Sequence, residues 1–473
     1  MNVSTIKVSF HYNKIQIVRS VESSEDDILV RESIELELNV ARIFHKVLNK
    51  ARIIEIFEKR DYELLGEMLY KILTATEKVR IFFINILAEV IRDKDSRCLF
   101  FLEFLDNTNE FASLPWEYLY IPYNQERKIG PLFIGADPKS QFDLFRFLKS
   151  EFQVPEEKFN PDEMKEISVV LVYVNAADRP INQLGLQNTF KSLIQKYASK
   201  LDDGSPETSG FNVYPIQNPT KENIFEQISL ELKNIEGPYV LHFMGHAEMR
   251  KDGSYLGLAG DNGKIDYWNA ESFVDLFDQQ KNDPIRHPSL VFLQACESGQ
   301  IDEKGSGLGI GLVKAGISPV IAMQNEITED VSNAFVQEVY QFLMEGDDIF
   351  HSVSKGRYFL GCEYSKNSNS DFKSYNTNFF GTPVVFTNKA TSPLRLMPKI
   401  KNMESGKKEI NTKRCSRCTS VYENPTFEYC NKNFCGGKLI PVQTSTEAKA
   451  DSSASTSKSE TARVRTSSST SSN

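Results

Sequence analysis

The chain lacks any long uninterrupted apolar run. The longest candidate, around Ile81 to Ile91, is broken by Asn85 and Glu89 and is too short to span a bilayer, so no membrane role is expected. The first twenty residues, MNVSTIKVSFHYNKIQIVRS, carry neither an apolar core nor a small-residue cleavage site of the secretory type, and the expected compartment is the cytoplasm. Positive charge is not in excess: 55 Lys and Arg stand against 64 Asp and Glu, a net charge of -9. That balance argues against a chain built as a whole to seek nucleic acid or an anionic surface. Cysteine is sparse and odd in number, seven in 473 residues. Without a leader, this count argues against a disulfide framework and for thiols used as ligands or as a nucleophile. No internal repeat is visible.

What is present divides the chain into segments. Residues 1–92 begin with an alternation (Ile6, Val8, Phe10, then Ile15 and Ile17) around Tyr12-Asn13-Lys14, the pattern of a β-hairpin. From Ser33 the period turns helical, with Ile43, Phe44, Val47 and Leu48 and then Leu64, Leu65, Met68, Leu69 and Ile72 on apolar faces. Residues 93–390 read as one α/β domain. A strand at Cys98–Leu105 leads to Leu114-Pro-Trp-Glu-Tyr-Leu119, where Pro115 and Trp116 read as core. After residue 165, apolar strands at 168–174, 239–243, 289–294 and 319–323 alternate with helices near 186–200, 220–234, 270–280, 307–315 and 328–345. Thr220 and Thr328 stand where N-caps belong, and Ser306 or Gly307 where the helix near 307–315 begins. Such an alternation predicts a mainly parallel sheet covered by helices on both faces, with any site at the carboxyl ends of its strands.

Two of those strands end on chemistry-bearing residues. Tyr239-Val-Leu-His-Phe-Met-Gly-His246 ends on a glycine and a histidine, and Ser289-Leu-Val-Phe-Leu-Gln-Ala-Cys296 ends on a cysteine followed by Glu297-Ser298-Gly299. Cysteine attacks as a thiolate and needs an imidazole to take its proton, so neighbouring strand ends are a suitable frame for the pair. The 50 residues between them leave room for a hairpin, signalled by Asp252-Gly253 and Asp261-Asn262-Gly263, and one helix. This spacing and Gln294-Ala295-Cys296 follow the caspase signature, in which the histidine lies about 50 residues upstream, although Glu297-Ser298-Gly299 replaces its single residue and glycine. His242, in mid-strand, reads as a core residue or a support of the site. A metal site on His242 and His246 is excluded by geometry, since that spacing converges on a helix and not along a strand. The strip 297–309 is acidic and glycine-rich, an ordinary strand-to-helix loop by its chemistry and a mobile one by its composition.

Leu-Pro-Trp-Glu-Tyr-Leu (114–119), His-Phe-Met-Gly-His (242–246), Leu-Gln-Ala-Cys-Glu-Ser-Gly (293–299) and Phe-Gly-Thr-Pro-Val-Val-Phe (380–386), in this order, resemble the CHAT domain. That domain is a caspase-like peptidase domain of the caspase and separase clan, and the likeness runs over roughly residues 90–390. The resemblance implies a caspase-like α/β fold and peptide-bond hydrolysis in a protein substrate, with His246 as general acid and base and Cys296 as nucleophile. It implies an oxyanion hole from the backbone N–H groups of Cys296 and Ala247, the latter position being glycine in many relatives. It places Gln294 at a position that lines the S1 pocket, the alternative being a plain strand-end polar residue. Regulation by a protein partner or signal, in a setting such as bacterial defence or cell death, also follows from the likeness. A signalling scaffold without activity, a nucleic-acid-responsive protein and another thiol enzyme, such as an acyltransferase, stand as alternatives.

Beyond residue 390 the composition shifts. Residues 391–412 form a basic linker, and eight Lys or Arg lie between 395 and 417. Within residues 413–440, Cys415-Ser-Arg-Cys418 and Cys430-Asn-Lys-Asn-Phe-Cys435 form two knuckles that resemble a zinc ribbon. Four thiolates would close a tetrahedral shell around a structural Zn2+, whose binding would supply the folding energy of so short a segment, reduced and metal-free cysteines being the alternative. Docking of a protein partner ranks ahead of nucleic acid for this module, although Tyr422, Phe427, Tyr429 and Phe434 are available for stacking. In the tail, 17 of the 31 residues 443–473 are Ser or Thr, and residues 441–473 are expected to be disordered.

Overall fold

The apolar strands are buried on both faces because their alternate residues enter two different cores. In the computed structural model, residues 2–11, 14–21, 28–33, 59–93, 96–105, 108–127, 129, 131–137, 139, 141–148, 167–181, 183–198, 211–277, 285–302, 305–362, 376–389, 412–415, 421–423 and 439–441 are described. Within residues 1–401, eleven strands form one sheet: β1 (Asn2–His11), β2 (Lys14–Val21), β3 (Ile28–Ser33), β4 (Ser96–Phe104), β7 (Phe142–Phe147), β8 (Ile167–Tyr173), β9 (Phe211–Gln217), β10 (Tyr239–Met244), β14 (Leu290–Gln294), β15 (Val320–Met323) and β16 (Pro383–Thr387). Two short strands, β5 (Tyr120–Ile121) and β6 (Leu132–Phe133), pair with each other, and β11 (Ala247–Arg250), β12 (Gly253–Ala259) and β13 (Ile265–Asn269) form a small antiparallel sheet. The helices are α1 (Lys59–Leu73), α2 (Glu77–Arg92), α3 (Asn109–Ala112), α4 (Gln183–Ala198), α5 (Ile224–Leu232), α6 (Ala270–Val274), α7 (Leu308–Lys314), α8 (Glu329–Met344) and α9 (Ile349–Cys362).

Strand order in the large sheet is β3-β2-β1-β4-β7-β16-β15-β14-β10-β8-β9. The pairs β9–β8, β8–β10, β10–β14 and β14–β15 are parallel, as are β16–β7, β7–β4 and β4–β1, whereas β15 meets β16 antiparallel. Two parallel halves therefore run in opposite directions and are joined at β15–β16. The fold is α/β with a mainly parallel sheet flanked by helices, and the expected N-terminal hairpin is present as β1 and β2. That hairpin is continuous with the sheet, since β1 pairs along its length with β4. On one face Leu171, Val240, Phe292 and Ile321 pack with Phe335, Val339 and Leu343 of α8 and Phe350 and Val353 of α9. On the other, Val170, Leu241, Val291 and Val320 pack with Ile224 and Ile228 of α5 and Leu312 and Val313 of α7. A strand with apolar side chains on both sides is stable only in such a sandwich of helices.

Local chemistry moves some element ends. The helix expected at 220 begins at Ile224, because the Asn223 side chain accepts from the Thr220 N–H (2.8 Å) and closes a turn ahead of it. Thr328 occupies the cap position of α8 with extended backbone, but its side chain makes no capping hydrogen bond. Gly307 precedes α7 in the cap position, where a Cβ would stand 2.2 Å from the Gln300 carbonyl oxygen.

The two motifs flanking the domain meet in a buried ionic frame. Glu117 accepts from Arg146 of β7 at 3.0 and 2.6 Å and from Gln324 Nε2 at 2.8 Å, and Arg146 also donates to the carbonyls of Ala112 and Leu114. Gln324, the residue after β15, receives the Arg146 guanidinium at 2.8 Å, donates from its side chain to the Gly381 carbonyl, and donates its backbone N–H to Thr382. Tyr118 packs edge-on against Phe380, and a Cβ on Gly381 would lie 2.4 Å from the Tyr118 ring. Trp116 is fully buried and donates its Nε1–H to Phe111, as expected of a core residue. Removing one partner of a buried charge pair costs about 3–5 kcal/mol, because the other charge is left uncompensated. Glu117→Ala is therefore expected to lower stability by about that amount, read as a fall in the urea midpoint at unchanged m-value.

A second polar group lies deep under the sheet. His242, fully buried, stacks on Phe292 and bonds to the Tyr340 hydroxyl at Nδ1 and to Gln294 Oε1 at Nε2, each at 3.0 Å. Burial pushes its imidazolium down to about 4 from 6.5, the Gln294 bond acting weakly the other way. Between those values the unfolded chain binds a proton that the folded chain does not, so stability is full above pH 6.5 and falls as pH drops toward 4. The loss is on the order of 3 kcal/mol. Comparing urea midpoints from neutral pH to about pH 4, wild type is expected to lose more stability than His242→Gln, whose amide stays neutral.

Candidate active site

The strand register brings the two expected catalytic residues to equivalent places. β10 and β14 pair in parallel with Val240 opposite Leu290 and Met244 opposite Gln294. His246 and Cys296 are each two residues beyond that last pair, and the Gly245 N–H reaches the Gln294 carbonyl at 3.2 Å to carry the pairing one step further. Both stand at the carboxyl ends of adjacent parallel strands, where sites in such sheets form. Both are partly exposed.

His246 is oriented from a third strand. Its Nε2 lies 3.1 Å from the carbonyl oxygen of Arg179, in the loop after β8. A carbonyl only accepts, so Nε2 carries the proton and Nδ1 keeps the lone pair that can receive one. The loop is fixed in turn: the Ala177 N–H donates to Gly263 (2.9 Å) and the Ile265 N–H to the Asp178 carboxylate (3.0 Å). This brace was not legible in the sequence, because the atom that makes it is a backbone oxygen 67 positions away. Only the rule that loops at the carboxyl ends of parallel strands build sites points to it.

Cys296 is held toward its protonated form. Its Sγ donates to the Ile327 carbonyl at 3.8 Å, and burial pushes the thiol above its ordinary range, with the carboxylates of Glu326 and Glu297 acting in the same direction. The turn that presents it is held from below. The buried Ser298 hydroxyl donates to Leu293 (3.4 Å) and accepts the Met323 N–H (3.1 Å), the Gly299 N–H donates to Met323 (2.8 Å), and a Cβ on Gly299 would lie 2.5 Å from Val384. Glu297 adopts a left-handed backbone, φ 59°, and its carboxylate accepts the Met249 N–H at 3.0 Å. Sequence reading did not single out Ser298 or Glu297 for these roles, although Ser-Gly after a strand end is a turn signal.

Ala247, the residue expected in the oxyanion hole, is the first of β11, in extended conformation, so its methyl group meets no conformational conflict. The Gly257 N–H donates to the His246 carbonyl at 2.8 Å, which makes 246 and 257 a hydrogen-bonded pair and Ala247 with Leu256 a non-bonded one. The Ala247 N–H therefore points away from β12, toward the open edge of the small sheet. Gln294 is buried, and its amide is taken at both ends: Oε1 by His242 and Nε2 by Asn333 Oδ1 at 2.7 Å. Its side chain is thus bonded at both ends within the core.

Of the expected zinc ligands, Cys418, Cys430 and Cys435 lie outside the described residues, as does the Ser/Thr tail. Cys415 ends β17 (Thr412–Cys415), which pairs antiparallel with β18 (Val421–Glu423) and β19 (Leu439–Pro441) in the separate unit 402–473. Among the described residues no group of three or more His, Cys, Asp or Glu side chains could hold a metal ion, and no helix is long and apolar enough to cross a membrane.

No curated protein matches the chain. Among solved structures, the Saccharomyces cerevisiae separase–securin complex is similar in two determinations. One gives a TM-score of 0.42 at 12% identity over 83% of this chain, and the other 0.41 at 9% over 84%. The chain spans 30% of the separase chain's length in each. The Drosophila initiator caspase Dronc matches with a TM-score of 0.29 at 10% identity, over 51% of this chain and 92% of that one. The family model of the CHAT domain matches residues 206–357, a stretch that contains both His246 and Cys296.

Proposed function

We propose that the protein is a caspase-like cysteine endopeptidase acting through His246 and Cys296. The observation that supports this reading is the register of β10 against β14, which leaves both residues two positions beyond the last pair of adjacent parallel strands, with the His246 Nε2 on the Arg179 carbonyl. In the reaction, Sγ gives up its bond to Ile327 and attacks the scissile carbonyl carbon while its proton passes to His246 Nδ1. The carbonyl oxygen, now an anion, is held by the N–H groups of Cys296 and Ala247. His246 then protonates the leaving amine as the C–N bond breaks, and water hydrolyses the thioester with the same imidazole as base.

The remaining parts of the reading are supported less directly. The three-stranded sheet that places Cys415 at a strand end supports a ribbon in which Cys415, Cys418, Cys430 and Cys435 hold a structural Zn2+. The likeness of the sequence motifs to the CHAT domain supports a protein substrate, a regulatory protein partner and a cytoplasmic setting. Residues 93–390 would form the peptidase and 413–440 the ribbon. A peptidyl acyloxymethyl ketone mixture randomised at P1 to P4 is expected to label Cys296 and to lose that labelling in His246→Ala, read by peptide mass spectrometry. Labelling of neither protein would instead support the scaffold without activity. Alkylation of Cys296 by iodoacetamide is expected to keep rising with pH through the ordinary thiol range and to show no plateau near neutrality.

A further inference from the structure

The turn after Cys296 is held in an unfavourable backbone conformation by a side chain that reaches the histidine strand. A non-glycine residue with positive φ is in an unfavourable conformation and persists where its surroundings hold it. Here part of the hold is the bond from the Met249 N–H to Glu297 Oε2, beside the Gln300 N–H on the Glu297 carbonyl. The alternation of β11 makes this bond informative. Ala247 and Met249 both sit in non-bonded pairs with β12, so their N–H groups leave the small sheet on the same open edge. Since the Met249 N–H reaches the side chain next to Cys296, that edge faces the nucleophile turn, and the Ala247 N–H, two residues earlier, is directed to the same side.

We propose, resting on the peptidase reading, that Glu297 is a positioning residue that clamps the Cys296 turn to the open edge of β11 and so fixes the distance between the two N–H donors, Cys296 and Ala247, that hold the oxyanion. The clamp needs an acceptor at Met249 and not a charge. The charge is a disadvantage to the thiol, since the Glu297 carboxylate acts with Glu326 and with burial to keep it protonated. Glutamine can supply the acceptor without the charge, and glycine can adopt the turn without strain but supplies no clamp.

The test compares wild type, Glu297→Gln and Glu297→Gly in two reactions of Cys296. Hydrolysis of a randomised tetrapeptidyl-aminomethylcoumarin library needs the oxyanion donors; alkylation by iodoacetamide does not. Glu297→Gly is expected to lose about 10²-fold in hydrolysis, the effect of losing one such donor. Its alkylation at neutral pH should rise, while Glu297→Gln keeps hydrolysis near the wild-type rate. Hydrolysis by Glu297→Gly at the wild-type rate, an equal fall in both reactions, or a loss in Glu297→Gln as large as in Glu297→Gly would each overturn the proposal. A wild type that hydrolyses nothing would overturn the peptidase reading and the catalytic role of the clamp with it. Exchange of the Met249 amide reports the clamp separately, and is expected to be slow in wild type and Glu297→Gln and fast in Glu297→Gly; equal exchange in all three would show that no clamp exists.

Discussion

The parallel register of β10 against β14 is the constraint on which the site depends. A shift of one residue would turn every side chain of one strand into the opposite core, where the packing is different, and move its catalytic candidate out of line with the other. The register is held by apolar residues on both faces, Leu241 and Phe243 toward one core and Val240 and Met244 toward the other, so slippage in either direction is penalised twice. The bond from Gly245 to Gln294 continues the ladder to the last residue before the chains diverge. Two candidate residues distant in sequence are thus brought to adjacent strand ends by the same forces that make the strands strands.

Around that alignment the molecule places polar groups in layers. Beneath the strand ends lies the chain of Tyr340, His242, Gln294 and Asn333, closed by hydrogen bonds within a region otherwise built of aromatic rings. To one side, Glu117, Arg146 and Gln324 tie the residue after β15 to the two flanking motifs, and so steady the segment that carries the Ile327 carbonyl to the thiol. Further out, Arg97 bridges Asp143 and Asp348, the latter also accepting the His351 N–H at the start of α9. Burial alone would raise the Asp143 carboxyl, but Arg97 and then His351 hold it down to about 2.

Much of this was legible in the sequence, for physical reasons that differ by residue. The strands at 167–173, 239–244 and 290–294 could be read because a short apolar run ended by glycine or a turn has few other ways to be buried. His246 and Cys296 could be read because their chemistry is scarce and their spacing allowed for the hairpin and helix between them. Gln294 was read at the right strand end but its amide turns inward, since position along a strand does not say which polar group a buried imidazole will claim. The Arg179 carbonyl and the left-handed Glu297 were not legible: one is a backbone atom with no residue signature, the other a conformation that glutamate rarely adopts. The flanking motifs drew notice as a likeness, and the structure supplies their reason, a shared buried charge pair and a glycine that leaves room for the Tyr118 ring.

The burial of Cys296 has a consequence for the redox chemistry of its sulfur. Peroxide and its relatives oxidise the thiolate, climbing from sulfenic to irreversible sulfinic and sulfonic acids, and react slowly with a protonated thiol. A thiol that burial and nearby carboxylates hold toward its protonated form is slower to oxidise than a thiolate. The same surroundings that keep the proton on the sulfur slow its oxidation.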